Sequence, residues 1–238
     1  GVTKIGGAAF YGCKALTSVV IPESITEIGV GAFYGCTSLT SVVIPEGVKY
    51  IYQRVFKDCS SLKSVTLPSS LITIGDKAFE GTPIEELTIP EGTEFIMKCA
   101  FYKCTALRSI VIPDSVKTIE QSAFGLCTSL ERVTLPNGLT EINWYLFSGC
   151  SSLDNVVLPA SVKAIDDGAF AECTSLKNIT LSASLTKIKN NVFKGCTALT
   201  SISFPKKLKE CGLDAFRDCT ALESVDFCNV VNIASFEG

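Results

Sequence analysis

Apolar residues recur along this chain at a fixed interval. An isoleucine returns every 23 residues, with one step of 22, and a phenylalanine follows each place of this column by five positions. A cysteine stands three positions after the phenylalanine, and a leucine, an aliphatic pair and a proline come next. The isoleucine column consists of Ile5, Ile28, Ile51, Ile74, Ile96, Ile119, Ile142, Ile165 and Ile188, and Cys211 occupies its tenth place. Self-similarity at this period predicts a repeat architecture of stacked coils.

Each repeat predicts three short elements. Residues 17–21 are β-prone, and their alternation turns apolar side chains to one side. Residues 25–28 predict a second extended piece. Residues 29–36 are too few for an ordinary helix and fit one helical or 3₁₀ turn that brings Phe33 and Cys36 inward. One coil cannot bury its apolar side alone, so ten coils at about 4.8 Å each predict a body roughly 50 Å long with a shared core.

Three places depart from the pattern. The fourth repeat lacks one residue, and Thr82 stands where the others have cysteine, so residues 79–97 are expected to form an altered loop or a kink. Ser182 replaces the proline of the eighth repeat. Residues 234–238 look like a shortened turn that closes the last coil, whereas the chain begins inside a coil, which predicts a fragment of a longer protein. Residues 1–238 are expected to form a single domain.

The repeat unit I-x-x-x-A-F-x-x-C-x-x-L-x-x-V-x-I-P resembles a known family. It is similar to the bacterial surface-antigen class of leucine-rich repeat, the BspA-like type, over all ten repeats. The resemblance implies an α/β leucine-rich-repeat solenoid, with a parallel β-sheet on one face and short strands and short helical or 3₁₀ turns on the others. It also implies an extracellular or cell-surface protein that takes part in adhesion and carries no catalytic or cofactor residues.

Composition narrows the possible partners. Hydrophobic residues make up 47% of the chain and charged residues 19%, with a mean hydropathy of +0.35, which requires a large continuous core. No apolar run reaches the roughly 18 residues that span a bilayer. The net charge is −3 and lysines and arginines do not cluster, which argues against nucleic acid and anionic membranes as partners. We expect a monomer whose partner is a protein or a glycan.

Histidine is absent, which excludes Ser-His-Asp and Cys-His nucleophiles and histidine metal sites. No phosphate-binding glycine loop is present either. Carboxylates and basic residues share one column of adjacent coils: Glu85, Arg108, Glu131, Asp154 and Lys177. Alternating charges of this kind are typical of a solvated cross-strand ladder, whereas an acid–base pair on adjacent coils would be needed for glycan chemistry. No catalytic, metal-binding or cofactor-binding residue is predicted.

The twelve cysteines predict packing rather than disulfides. Nine lie in one column, where the coil spacing of about 5 Å exceeds the roughly 3.8 Å between Cβ atoms that a disulfide needs. We expect free, buried thiols that pack as small apolar groups. Cys211 is expected in the core because it fills an isoleucine position. Cys99 and Cys228 lie outside the column, and pairing or free thiols remain open for them.

Large residues that break the repeat pattern form the candidate binding surface. They flank the isoleucine column in three repeats: Tyr50, Tyr52, Phe95, Met97, Trp144 and Tyr145. Tryptophan and tyrosine dominate interface hot spots, although local packing would also explain them. The outward positions of the longer strands, mostly serine, valine and threonine, offer a smoother second surface.

The sequence therefore predicts a non-enzymatic, extracellular binding module, and protein adhesion is the favoured role. The alternative is a structural spacer that holds another domain away from the cell wall. A carboxylate-dependent glycan-active enzyme is the distant third hypothesis.

Overall fold

The protein forms a solenoid of about ten coils. The computed structural model describes residues 1–227 and the strand Ser235–Phe236. We number the coils by the two-residue strand that begins each one, so that coil 1 starts at Lys4 and coil 4 covers residues 73–94. None of the described residues forms a helix long and apolar enough to cross a membrane.

The side of the solenoid that holds the isoleucine column carries the two-residue strands. They pair in parallel, with each isoleucine beside the next one in the column, as for Ile51 and Ile74. They build one six-stranded sheet, β1-β2-β4-β6-β7-β9, and one five-stranded sheet, β11-β13-β15-β17-β19. The strands are β1 Lys4–Ile5, β2 Glu27–Ile28, β4 Tyr50–Ile51, β6 Thr73–Ile74, β7 Phe95–Ile96, β9 Thr118–Ile119, β11 Glu141–Ile142, β13 Ala164–Ile165, β15 Lys187–Ile188, β17 Glu210–Cys211 and β19 Ser235–Phe236.

A second side carries three-residue strands, which we call the long-strand face. Their central residues point into the core and their flanking residues are exposed, as in Ser41–Val43. These strands join only in pairs: β3 with β5, β8 with β10, β12 with β14, and β16 with β18. They are β3 Ser41–Val43, β5 Ser64–Thr66, β8 Ser109–Val111, β10 Arg132–Thr134, β12 Asn155–Val157, β14 Asn178–Thr180, β16 Ser201–Ser203 and β18 Ser224–Asp226.

The third side is a turn segment, and here the predicted α/β class with helical or 3₁₀ turns is wrong. Within residues 1–227 no helix forms. In coil 2 the N–H groups of Ala32 and Tyr34 do donate three residues back. The N–H groups of Gly31, Phe33 and Gly35, however, donate to carbonyls of coil 3. Gly31 and Gly35 also adopt positive φ, 61° and 69°, and such left-handed residues interrupt a right-handed helix.

The same bonding recurs along the whole molecule. At each of the nine junctions between coils 1 and 10, three N–H groups of one coil donate to carbonyls of the next. We call this continuous array the turn ladder. Each coil has two left-handed residues four positions apart, and many are not glycine, for example Arg54 and Asp58 in coil 3. The coils are thus joined more continuously through the turn segment than through either set of strands.

The core follows the predicted columns. The phenylalanine rings stack from Phe10 to Phe216 with centroids 5.1–5.8 Å apart and planes within 20° of each other. Beside them, the column cysteines donate S–H bonds to the phenylalanine carbonyl of the preceding coil, as Cys127 does to Phe101 over 3.2 Å. Stacked rings therefore run through all ten coils, and column thiols lie beside them in every coil except coil 4, which has Thr82.

The eleven cysteines within the described residues are all free, as the column spacing predicts. Seven of the column are fully buried, whereas Cys13 and Cys219 lie in the end coils and are more accessible. Cys211 is buried in the isoleucine column, as predicted. Cys99 is a half-buried free thiol, and Cys228 lies outside the described residues.

Coil 4 contains the predicted irregularity. Thr82 takes the cysteine position, is buried, and donates its hydroxyl to the carbonyl of Phe79 over 2.7 Å. Ile84 then fills the leucine position after one residue fewer than usual and is also buried. Ser182 stands at the proline position of the eighth repeat. Its side chain is buried, and its hydroxyl donates to the carbonyl of Ala160 over 3.0 Å. Both departures are absorbed locally and the core columns continue.

Candidate interaction surface

The six large residues predicted to form a binding surface are spread over coils 3, 5 and 7. Tyr50 and Phe95 lie on two-residue strands, Tyr52 and Met97 follow those strands closely, and Trp144 and Tyr145 lie in the turn segment. At about 4.8 Å per coil the six residues extend over roughly 19 Å. The structure therefore distributes them between the two-residue strands and the turn segment and does not gather them into one cluster. Four of them, Tyr50, Tyr52, Trp144 and Tyr145, are exposed large side chains.

Tyr50 and Tyr52 form the most compact part of this surface. Their rings lie on either side of buried Ile51, with centroids 6.1 Å apart and planes inclined by 25°. Both are more than one-third exposed, at 44% and 38%. Tyr50 on strand β4 and Tyr52 just after it offer flat apolar area together with hydroxyl groups, which is the combination that interfaces favour.

Phe95 and Met97 contribute less accessible area than the tyrosines, because each side chain is half-buried. Phe95 lies two strands from Tyr50 in register, with Thr73 between them. Gly75, two residues after Thr73, is buried and packs tightly against coil 3. A Cβ atom there would lie 2.6 Å from the carbonyl oxygen of Ile51. Glycine at this position thus serves close coil packing.

Trp144 lies where the sheets are interrupted. Within residues 1–227, neither β9 and β11 nor β10 and β12 are paired, so the turn ladder is the continuous connection between coils 6 and 7. The side-chain amide of Asn143 adds a 2.7 Å bond to the carbonyl of Ile119. Trp144, the next residue, is 48% exposed, and its carbonyl accepts a turn-ladder bond from Ser122. A firmly held backbone thus carries an exposed indole.

Tyr145 has a packing partner that the sequence analysis did not identify. It occupies a left-handed position, with φ of 53°, and its ring lies over Gly168 of coil 8. A Cβ atom at Gly168 would be 2.5 Å from Cδ1 of Tyr145 and closer still to Cε1. Leu126 lies over Gly149 in a similar way. A large residue paired with a glycine 23 positions later was the available signal.

Gly168→Ala is expected to destabilise the protein by about 2–3 kcal/mol. Roughly 1 kcal/mol comes from a Cβ at positive φ, and the rest from displacing the Tyr145 ring. Urea unfolding of Gly168→Ala in the wild-type and in the Tyr145→Ala background separates the two terms. The cost should fall to about 1 kcal/mol when the ring is absent. Equal costs in both backgrounds would show that the ring does not oppose the methyl group.

The long-strand face presents the small outward residues that the sequence predicted, including exposed Val43, Val111 and Val157. Of the predicted charge ladder, Arg108 and Glu131 lie 3.9 Å apart. Glu85 pairs with Lys63 of coil 3 over 3.0 Å. These side chains are more than half exposed, so this arrangement has the solvated character of a cross-strand ladder.

The long-strand face also has grooves that sequence reasoning missed. They lie where neighbouring strands do not pair: between coils 3 and 4, with about 470 Å³, between coils 4 and 5, with about 620 Å³, and between coils 6 and 7, with about 580 Å³. Strand pairing depends on small differences in coil spacing, which the repeat pattern does not encode. No group of potential metal ligands occurs among the residues that the structure describes.

The sequence profile of the BspA type leucine rich repeat region matches this chain in six copies, over residues 1–108 and 94–223. The chain belongs to this BspA-type family. Among curated proteins, none matches the chain. A leucine-rich repeat protein from Bacteroides ovatus is 29% identical, with a TM-score of 0.59, and the match covers 98% of this chain and 78% of that one.

Two further crystal structures share the fold of this BspA-type chain. A leucine-rich repeat protein from Eubacterium ventriosum is 22% identical, with a TM-score of 0.63, and the match covers 91% of this chain and 80% of that one. The pneumococcal vaccine antigen PcpA is 24% identical, with a TM-score of 0.62, over 94% of this chain and 67% of that one. The family thus accounts for the repeat architecture.

Proposed function

We propose that this BspA-type chain is a non-enzymatic binding module at the bacterial cell surface, where it adheres to a protein ligand. The observation that carries the proposal is the set of exposed aromatic side chains on a rigid solenoid. Trp144, Tyr50 and Tyr52 are exposed at repeat positions where most other coils have small, polar or charged residues. The turn ladder and the stacked core fix their spacing in advance, which reduces the entropy lost on binding.

The free thiols are compatible with an extracellular location. Desolvation by burial raises the pKa of the buried thiols of the column, to about 12 for Cys59 and for Cys104. Thiolates rather than thiols react with oxidants and disulfides. Buried and protonated cysteines therefore stay reduced in an oxidising environment, and the column needs no cytosolic reductant.

The test immobilises the full chain and measures binding to a panel of matrix proteins, plasma proteins and arrayed glycans. A saturable protein ligand is expected, and Trp144→Ala should weaken it by about 30-fold, which corresponds to a hot-spot loss of roughly 2 kcal/mol. Tyr50→Ala should weaken the same ligand. Tyr145 is left unchanged because its ring packs on Gly168 and its removal would disturb the coil.

Tyr11→Ala is the matched control. Tyr11 is 61% exposed, but it lies in coil 1, far along the solenoid from Trp144 in coil 7, and stacks on Tyr34 with centroids 4.8 Å apart. Its removal should leave the affinity unchanged. A ligand that Trp144→Ala and Tyr50→Ala do not affect would refute this surface. Failure of all panel members to bind would favour the spacer hypothesis, and binding of glycans alone would refute a protein ligand.

A further inference from the structure

Coil 4 interrupts the long-strand face. One residue is missing between Thr82 and Ile84 relative to the other repeats, and residues 85–89 form no strand ladder. A single bridge joins Glu86 to Ser64 of coil 3. On the other side, β8 of coil 5 pairs with β10 and not with coil 4. The N–H of Glu85 also donates to the carbonyl of Lys63 over 3.3 Å. Residues 85–89 therefore form an extended segment that is bonded to coil 3 at its start and has a groove on each side.

The two grooves have the size and the lining of a peptide-binding cleft. Their volumes, about 470 and 620 Å³, fall in the usual range of ligand sites. Leu87 and Pro90 line both grooves, and Thr66 and Val111 form the outer walls. On the side that faces coil 4, β8 has no partner strand among the described residues, and β5 has only the bridge from Ser64 to Glu86. An extended peptide can bond to such unpaired strand edges.

The lining of these two grooves is acidic. Glu86 and Glu91 are exposed and have no ion pair within the described residues, whereas Glu85 is paired with Lys63. Glu46 lines the smaller groove. The backbone N–H and hydroxyl of Ser69 each donate to it over 2.9 Å, which lowers the pKa of Glu46 and keeps it ionised. One cation, Arg108, lines the larger groove.

The third groove supplies a comparison. It lies between coils 6 and 7 on the same face and has a similar volume, about 580 Å³. Its lining carries one cation, Arg132, and one anion, Asp154. Size and unpaired strands are therefore common to all three grooves, and the excess of carboxylates is what distinguishes the two around coil 4.

We propose that the pair of grooves around residues 85–89 binds an extended basic segment of a partner protein. Lysine or arginine side chains pair with Glu86 and Glu91, and alternate small side chains pack over Leu87. This inference rests on the proposed binding function and adds to it the chemistry of the partner and a second contact area, on a different side from Trp144.

The test uses the full chain and a fluorescein-labelled peptide of four Lys-Thr repeats, with a Glu-Thr peptide of equal length as its counterpart. Fluorescence anisotropy should show saturable binding of the basic peptide and none of the acidic one. Glu86→Gln/Glu91→Gln should weaken binding roughly tenfold, since both carboxylates are exposed. Asp154→Asn and Trp144→Ala should leave the affinity unchanged. Circular dichroism should show unaltered folding, because the two glutamates are exposed and unpaired.

Three results would overturn the proposal: no saturable binding of the basic peptide, an unchanged affinity of the double variant, or an equal loss in Asp154→Asn. The last result would mean diffuse attraction to any carboxylate. The outcome is independent of the aromatic surface. If a ligand is lost in Trp144→Ala while the Lys-Thr peptide fails to bind, the grooves are refuted and the binding module stands. If the Lys-Thr peptide binds while Trp144→Ala leaves the binding of other ligands unchanged, only the aromatic surface is refuted.

Discussion

An alkaline shift in pH is expected to destabilise the folded chain strongly, because the buried thiols keep their protons only while it is folded. Burial raises the pKa of Cys59 and of Cys104 to about 12, and burial also raises the pKa of Cys127, Cys150 and Cys173. Unfolded cysteines have a pKa of about 8.5. Below that pH both states are protonated, and the stabilisation is fully present. Above it, only the unfolded chain loses protons.

The expected slope follows from this difference. Each buried thiol lowers the free energy of unfolding by about 1.4 kcal/mol per pH unit, up to its folded pKa. Urea unfolding at pH 7.5, 9 and 10, with a reductant present, measures the fall. Cys150→Thr should reduce the loss at pH 10 by roughly 2 kcal/mol, and threonine is suited to the column because Thr82 already occupies it. Cys13→Thr, in an exposed position, should behave like the wild type. Identical curves for all three proteins would contradict the prediction.

Phe124→Ala is expected to be the most destabilising single substitution among the predictions made for this chain. The ring of Phe124 is fully buried and stacks on Phe101 at 5.3 Å and on Phe147 at 5.8 Å. Its removal leaves a cavity between two fixed coils, which cannot close without breaking turn-ladder bonds on both sides. Truncation of a buried phenylalanine costs about 3–5 kcal/mol. Urea unfolding at neutral pH measures this loss.

Phe10→Ala is the matched control for that substitution. Phe10 belongs to the same column but lies in coil 1, is only half-buried, and stacks on Phe33 alone among the rings. It should cost less than half as much as Phe124→Ala. Equal costs at the two positions would show that stacking from both sides does not determine the stability of the column.

The columns of the core could be predicted from the sequence because each column consists of the residues at one position of the repeat. Each coil places a phenylalanine at the same depth, with a cysteine beside it in all coils but coil 4 and an isoleucine in all but coil 10. The spacing of these residues therefore predicted both the number of coils and the free thiols. The turn segment was misjudged for a physical reason. Phe33 and Cys36 are three positions apart, a spacing that a helical turn and a chain of β-turns both satisfy. Recurring glycines such as Gly31 and Gly35 were the distinguishing signal.

Only part of the candidate surface could be predicted from the sequence. Exposure of Tyr50, Tyr52 and Trp144 agrees with their off-pattern positions, but whether they bind a ligand stays a prediction. The packing of Tyr145 on Gly168 depends on two coils at once, and a single repeat does not reveal it. The grooves beside residues 85–89 depend on which neighbouring strands approach closely enough to pair. Sequence spacing fixes the residues of each coil, whereas the gaps between coils require coordinates.

The turn ladder gives one side of the solenoid an electric dipole along the solenoid axis. At all nine junctions its N–H groups point toward the later coil and its carbonyls toward the earlier one. Peptide dipoles of about 3.5 D that are aligned in this way add along the axis, as they do in an α-helix. That side of the molecule therefore has a positive pole toward coil 10 and a negative pole toward coil 1. The two ends of a nearly uniform repeat are consequently unequal, and they will attract counterions of opposite sign.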